Sequence, residues 1–381
     1  MQSALVTGIS AISAVISGYY FRRTIMAVYG MPRLTAMASP ESREFVTLLI
    51  PVRNEANKIL REHLDSINSQ THARCRIVAV DDNSTDGSGA ILGEYVEPGR
   101  FTVVKGAGLT EGWCGKTHAL RQARGLLSTD CEWILMLDAD VVLHPNAIAY
   151  ALNCAQARGL DALCVLPRIR MVTFWENVVA PVVSWLALMR VTPTEANDPS
   201  KRQCFGYGNF MLVRRGAHDA IGGFEAYKGD VLDDSALMEL LKHRGFRTMV
   251  VNGDDLLEAR ICQNLGQMVA SAAKCSFRAI SFSVWRLLEV TAKELIGVFW
   301  PLLSAPLLWS CGSFVLAAGI VSALFTFMGM MIVGRAMHAR WFFLVFYPIG
   351  HGVAVWIVTY SALAALFSRR IWWKGRPVRL S

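Results

Sequence analysis

Charge is scarce in this chain of 381 residues: 18% are Asp, Glu, Lys or Arg, against about 25% in ordinary globular domains. Apolar residues make up 53% and the mean hydropathy is +0.34, which excludes both a purely soluble protein and a disordered one. Acidic residues are missing from whole regions, since none precedes Glu41 and none follows Glu294, while seven bases lie in the 87 residues after it. The net charge of +8 therefore comes from the flanks, where cations border apolar stretches, and the stretch between is close to neutral. That distribution argues against a nucleic-acid partner and for a membrane surface. Paired cysteines are lacking too. The nine cysteines are scattered without a Cys-x-x-Cys pair, which excludes a zinc cluster or a small disulfide framework and suits free thiols in a reducing compartment.

Long uncharged runs set the outer organisation. Ala4 to Phe21 is uncharged and followed at once by Arg22-Arg23, with no base before it; this predicts a membrane anchor over residues 1–30 with its N-terminus outside, rather than a secretory signal. Its Ser and Gly content leaves a loosely held or interfacial helix open. Residues 262–290 mix apolar residues with Lys274, Arg278 and Arg286, as an interfacial helix does. Residues 298–334 and 341–368 carry no charge. The basic end predicts a cytosolic tail at 369–381, hence an even number of spans: an interfacial or re-entrant piece near 298–312 completing a segment 256–312, then spans near 313–334 and 342–367 within 313–368.

Between these flanks, residues 41–255 alternate strand and helix. Strands are predicted at 46–52, 75–82, 101–105, 133–140 and 163–169, with helices between them. This repeat implies an α/β fold with a mainly parallel sheet covered on both faces, whose ligands bind beyond the carboxyl ends of the strands. Asp138-Ala-Asp140 closes one such strand. In extended chain residues i and i+2 share a face, so both carboxylates are expected to meet one site as hard ligands for Mg2+ or Mn2+; the bland alternative is an Asp-rich turn. Asp81-Asp82 begins a run, DNSTDGS, able to accept hydrogen bonds from a nucleoside, with Ser84 or Asp86 as a helix N-cap; it is also good turn chemistry. Asp233-Asp234 opens the helical sequence DSALMELLKH, as a general base or as acids favoured by the helix dipole; at about 100° per residue only one of the two is expected to face a substrate. Gly206-Tyr207-Gly208-Asn209 either lets backbone approach a ligand or bends a strand. His118 and His144 read as structural, His351 as a packed polar contact, and residues 174–189, with Trp175 and Trp185, as either a core helix or an interfacial one.

The segments IPVRNEANKI (50–59), AVDDNSTDGS (79–88), GKTHAL (115–120), LDAD (137–140) and GGFE…DDSALMELLKHRG (222–245) resemble family 2 glycosyltransferases in content and order. LPRIRMVTFWE (166–176), NDPSKRQ (197–203) and WWKGR (372–376) resemble the membrane-bound hopene-associated subgroup and, less closely, carotenoid-modifying relatives. The resemblance implies a GT-A fold and an inverting transfer from a nucleotide-sugar. Pro51, Asn54 and Glu55 would frame the nucleotide pocket, Asp82 with Asp81 would hold uracil or ribose, Lys116 would lie against the phosphates, and Asp138 and Asp140 would face a metal-bound diphosphate. Asp234 matches the family's general base. Asp233 departs from the usual Glu, and the Gln-x-x-Arg-Trp signature of processive synthases is absent, which favours transfer of one sugar.

The expected protein is an integral enzyme of a bacterial-type inner or plasma membrane, with a cytosolic catalytic domain. It would pass one sugar from a UDP-sugar or similar donor to a lipid acceptor with Mg2+ or Mn2+. A polyprenyl-phosphate sugar synthase, a membrane-bound nucleotidyltransferase and an inactive scaffold are the alternatives.

Overall fold

The computed structural model describes residues 2–35, 42–302 and 313–380. Along the chain come α1 (Gln2–Tyr29), β1 (Val46–Val52), α2 (Leu60–Asn68), β2 (Cys75–Asp81), α3 (Ser88–Gly93), β3 (Phe101–Lys105) and α4 (Gly115–Arg124). Then follow β4 (Trp133–Leu137), β5 (Val141–Leu143), α5 (Ala147–Ala157), β6 (Ala162–Leu166), β7 (Arg168–Ile169), α6 (Phe174–Arg190) and α7 (Pro193–Asn197). After them lie β8 (Phe210–Arg214), α8 (Arg215–Ala220), α9 (Asp233–His243), β9 (Thr248–Asn252) and β10 (Leu257–Ala259). The chain continues through α10 (Leu265–Ala279), α11 (Val284–Glu294), α12 (Ser313–Ala336), α13 (Tyr347–Leu363), β11 (Arg370–Trp373) and β12 (Arg376–Arg379). Two compact units result, one of residues 31–170 and 193–261, the other of residues 1–30, 171–192 and 262–381.

The first unit is built on a seven-stranded sheet in the order β3-β2-β1-β4-β8-β6-β9. Its strands run parallel except β8, which pairs antiparallel with both β4 and β6. β1 and β4 are almost wholly buried apolar runs, VTLLIPV and WILML, as a strand covered on both faces requires. Leu48, Ile50, Trp133, Leu135 and Phe210 form the centre of the core with α2 and α5. The chain leaves β1 to one side for β2 and returns on the other for β4, so the order reverses there and opens a crevice at the strands' carboxyl ends. The antiparallel β8 turns its start toward the same edge, because Phe210 pairs with Leu137, the last residue of β4. A small sheet in the order β5-β10-β7 flanks it.

The second unit is helical. Three stretches, Ala4–Tyr29, Ser313–Ala336 and Trp341–Ser368, are long and apolar enough to cross a membrane. α1 continues through Arg22-Arg23 rather than ending at Phe21, since arginine is a good helix former and nothing there breaks the helix. Its small residues form a packing face: Ser13 donates to Ser322 at 3.1 Å, and the Phe21 and Phe325 rings stack. Small side chains let apolar helices approach closely. α6 joins this unit as well. Trp185 is buried, packs edge-on to Tyr20 and donates its indole N–H to Thr24 at 2.7 Å. Of the segment expected at 298–312, residues 303–312 lie outside the described residues.

His351 finds its polar contact in Glu294, Nδ1 to Oε2 at 2.5 Å, with both side chains fully buried. Breaking a buried pair by removing one partner typically costs about 3–5 kcal/mol, whereas replacing both by apolar groups is often neutral. His351→Ala should therefore lower the unfolding temperature of the detergent-solubilised protein, and Glu294→Leu combined with His351→Leu should restore most of the loss. An unchanged unfolding temperature in the single variant would show that the pair contributes nothing.

Candidate active site

The polar residues noted in the sequence stand at the carboxyl ends of neighbouring parallel strands: Asn54 and Glu55 after β1, Asp81 and Asp82 at β2, Asp138 after β4. The strand expected over 133–140 stops at Leu137, and Asp138–Asp140 forms the turn into β5. The two carboxylates are thus presented by a turn and not by the alternation of a strand. Asp138 is gripped by Lys116, Nζ to Oδ1 at 2.6 Å. Asp140 Oδ1 accepts from the Asn209 side chain at 3.1 Å.

Lys116 is the second residue of α4. The start of that helix is tied down by Cys114 N–H donating to Lys228 O at 2.6 Å and by the Thr117 hydroxyl donating to the same carbonyl at 2.9 Å. So fixed, the ammonium also stands 3.8 Å from Asp233 Oδ2. Asp234 takes part from the other side: its Oδ2 accepts from the Gly208 N–H at 2.9 Å and its Oδ1 from the Ser235 N–H at 2.6 Å. Asp233 thus stands beside the Lys116 ammonium, and Asp234 beside the Gly208 and Ser235 N–H groups. Both acids sit in the first turn of α9, where the chain is still entering the helix, and Leu232 holds the N-cap without a side-chain bond.

The loop 206–209 comes close to the acids at its two glycines. A Cβ on Gly208 would overlap the Lys116 ammonium and stand 3.2 Å from Asp138 Oδ2 and 3.5 Å from Asp234 Oδ2. A Cβ on Gly206 would run into the backbone carbonyl of Asp234. Ser235 adds a tie by accepting from the Gly206 N–H at 3.2 Å.

Electrostatics separate the roles. Burial raises the Asp234 carboxyl and the Asp233 charge raises it further; Lys116 and the Ser235 N–H offset part of this, leaving it at about 7. Burial would lower the Lys116 ammonium, but Asp138, Asp233 and Asp234 outweigh it and hold it well above its ordinary value. One ammonium thus stays charged among carboxylates, one of which titrates near neutrality.

At the far end of the crevice the loop after β1 is laced to the loop after β2. Asn54 sits at φ 52°; its N–H donates to Ser84 Oγ at 3.1 Å, and its Oδ1 accepts from Thr85 N–H at 2.9 Å. Glu55 N–H donates to Ser88 Oγ at 2.8 Å and Ala56 N–H to Asp86 Oδ2 at 2.9 Å. Ser84 and Asp86 are therefore braces between loops. α3 begins at Ser88 behind Gly87, later than a cap at either of those residues would place it. Asp81 Oδ1 accepts from Ser84 N–H at 2.9 Å, Asp82 is buried, and Pro51 lies within β1. His118 accounts for itself structurally through Thr110 and Gln122.

His63, Ser235 and the part played by Asn209 were not anticipated. His63 is fully buried on α2, and its Nδ1 meets Val141 O at 2.5 Å. Burial lowers it to about 4 despite the nearby Asp138 and Glu55 charges, so it is neutral and props the start of β5. Its one signal was a polar residue inside the apolar stripe Leu60, Leu64, Ile67.

Among the described residues no group of three or more His, Cys, Asp or Glu side chains is arranged to hold a metal ion. Asp138 and Asp140 supply two hard carboxylates, each with one oxygen already engaged. That donor set fits Mg2+ or Mn2+ only as such ions are usually held at phosphate sites, by one or two carboxylates plus substrate oxygens.

The architecture is that of the GT-A-type α/β transferases. A mannosyltransferase from Pyrobaculum calidifontis, solved with GDP-Man and Mn2+, aligns over 97% of this chain and 100% of its own at a TM-score of 0.59 and 17% identity, a likeness of fold. TarS of S. aureus (residues 1–349) aligns over 87% of this chain and 95% of its own, at a TM-score of 0.41 and 14% identity. Glycosyltransferase GlyA of Streptococcus pneumoniae is 48% identical over 52 residues, which are 14% of this chain and 7% of that protein's length. Residues 47–228 match the family model described as Glycosyl transferase family 2; the chain carries a family 2 glycosyltransferase domain.

The two glycines separate packing from chemistry. Gly206→Ala pushes against backbone and should destabilise by about 1–3 kcal/mol, the usual cost of overpacking. Gly208→Ala meets mainly the tip of a flexible lysine, so its unfolding temperature should stay close to wild type while Lys116 is displaced. Equal losses in thermal unfolding would refute this distinction.

Proposed function

We propose that the protein is an inverting glycosyltransferase that moves one sugar from a nucleotide-sugar, such as a UDP-sugar, to the hydroxyl of a membrane lipid. The observation that carries the proposal is the Asp234 carboxylate held by the Gly208 and Ser235 N–H groups at 2.9 and 2.6 Å beside the Lys116–Asp138 pair, where burial and the Asp233 charge raise its carboxyl to about 7. A hydroxyl nucleophile must lose its proton as the new bond forms, and a positioned base with a pKa near the working pH does this best. The three apolar helices support a lipid as the acceptor, and the basic residues after them support a catalytic domain on the cytosolic side. The phrases at 166–176, 197–203 and 372–376 support a place near the hopene-associated subgroup.

In this reading the loops after β1 and β2, with Pro51, Asn54, Glu55, Asp81 and Asp82, bind the nucleoside. Lys116 turns from Asp138 toward the diphosphate, bringing a point charge to the leaving oxygens. Asp138 and Asp140 would hold a divalent cation against that diphosphate, and when bound it supplies neutralisation of the leaving group's charge. Asp234 accepts the acceptor's proton on its carboxylate, kept in place by the Gly208 and Ser235 N–H groups. Asp233 keeps the Asp234 proton affinity high. Attack opposite the departing diphosphate inverts the anomeric carbon, through an oxocarbenium-like state.

The base must be ionised to act, so kcat/KM should rise with pH to a plateau above an apparent pKa of about 7. Asp234→Asn should lower kcat about 10²–10⁴-fold and abolish that limb while donor binding persists. Were Asp234→Asn to retain normal turnover, the acceptor would be a phosphate, as in a polyprenyl-phosphate sugar synthase, which needs no base. Asp140→Asn should lose most donor turnover; full turnover in a folded variant would overturn the proposed diphosphate site. The product is expected to be a nucleoside diphosphate, and release of pyrophosphate would point instead to a nucleotidyltransferase.

A further inference from the structure

Beyond α13 the chain forms a hairpin that the transfer chemistry does not use. β11 and β12 pair antiparallel, with Arg370 opposite Arg379, Ile371 opposite Val378, Trp372 opposite Pro377 and Trp373 opposite Arg376. Lys374 and Gly375, at φ 45° and 75°, make a two-residue loop whose left-handed residues match the twist of the strands. Directly opposed residues share a face, so the ribbon has two. Ile371, buried, and Trp373, whose ring lies 4.7 Å from the Lys274 ammonium of α10, belong to the face turned to the helices. Arg370, Trp372, Pro377 and Arg379 make up the other, and all four are exposed, Trp372 at 69%.

This exposed face places two arginines directly across from each other, which concentrates positive charge on one side of the ribbon. Guanidinium groups match phosphate oxygens in bidentate fashion. Trp372 stands on the same face, and Phe367, 83% exposed, precedes the hairpin at the end of the apolar stretch Trp341–Ser368. Aromatic rings beside cations at the end of an apolar helix belong at headgroup depth. The region after Glu294 offers seven bases and no acid, so the partner's charge is negative.

We propose that the Arg370–Trp372–Pro377–Arg379 face binds the headgroups of anionic phospholipids, the arginines engaging phosphate and Trp372 and Phe367 resting at the boundary with the acyl chains. The proposal requires the Trp341–Ser368 helix to lie in a bilayer; it does not require the transferase activity, and its test does not measure turnover.

The full-length protein in a neutral detergent would be titrated with phosphatidylglycerol and, separately, phosphatidylcholine, with retained lipid counted by native mass spectrometry. Wild type should retain phosphatidylglycerol in preference, and increasingly less of it as salt is raised. The double variant Arg370→Gln, Arg379→Gln should bind phosphatidylglycerol about thirtyfold more weakly, which corresponds to about 1 kcal/mol for each cation lost from a membrane surface, with phosphatidylcholine unchanged. Arg370→Lys, Arg379→Lys keeps the charge and should stay within a few-fold of wild type, a check that holds even if the glutamine variant fails to fold. Equal retention of the two lipids by wild type, insensitivity to salt, or unchanged phosphatidylglycerol affinity in a folded glutamine variant would each overturn the proposal.

Discussion

The catalytic unit depends on a single ammonium. Asp138, Asp233 and Asp234 converge within reach of Lys116, and without a cation among them their mutual repulsion would drive them apart or force them to take up protons. The Lys116 ammonium holds Asp138 at 2.6 Å, while burial and the Asp233 charge raise the Asp234 carboxyl to about 7.

That ammonium is placed by backbone geometry. The reversal of strand order between β1 and β4 opens the crevice, and the antiparallel β8 delivers residues 206–209 to the same edge. Because Gly206 and Gly208 have no side chain, this loop can lie against Asp234 and Lys116 and offer its N–H to the Asp234 carboxylate. The bond from Gly208 orients the Asp234 carboxylate without neutralising it.

The helical unit meets a different constraint. Apolar surface holds its helices near one another but barely discriminates among registers, so specificity rests on few polar contacts: Ser13 with Ser322, Trp185 with Thr24, Glu294 with His351. Each is worth little or much according to how thoroughly its surroundings are dry. The serines that made the first apolar run look loosely held are, in the folded unit, the residues that let α1 and α12 come close.

The parallel sheet and the apolar helices were legible in the chain, because both depend on period and run length: VTLLIPV and WILMLDAD read as strands, though the second stops at Leu137, and 313–334 as an apolar span, which the structure extends to Ala336. The acids at the strand ends were legible as residue types for the same reason. Their arrangement was not. The turn at Asp138–Asp140, the separate surroundings of Asp233 and Asp234, the braces made by Ser84 and Asp86, and neutral His63 beneath the site all arise from contacts between segments tens of residues apart, which no local pattern encodes. Local sequence settled which chemistry was present, since side-chain type and periodicity are local properties. Tertiary structure alone decided which carboxyl is raised above its ordinary range, since that depends on the distance to Asp233 and on the water that folding excludes.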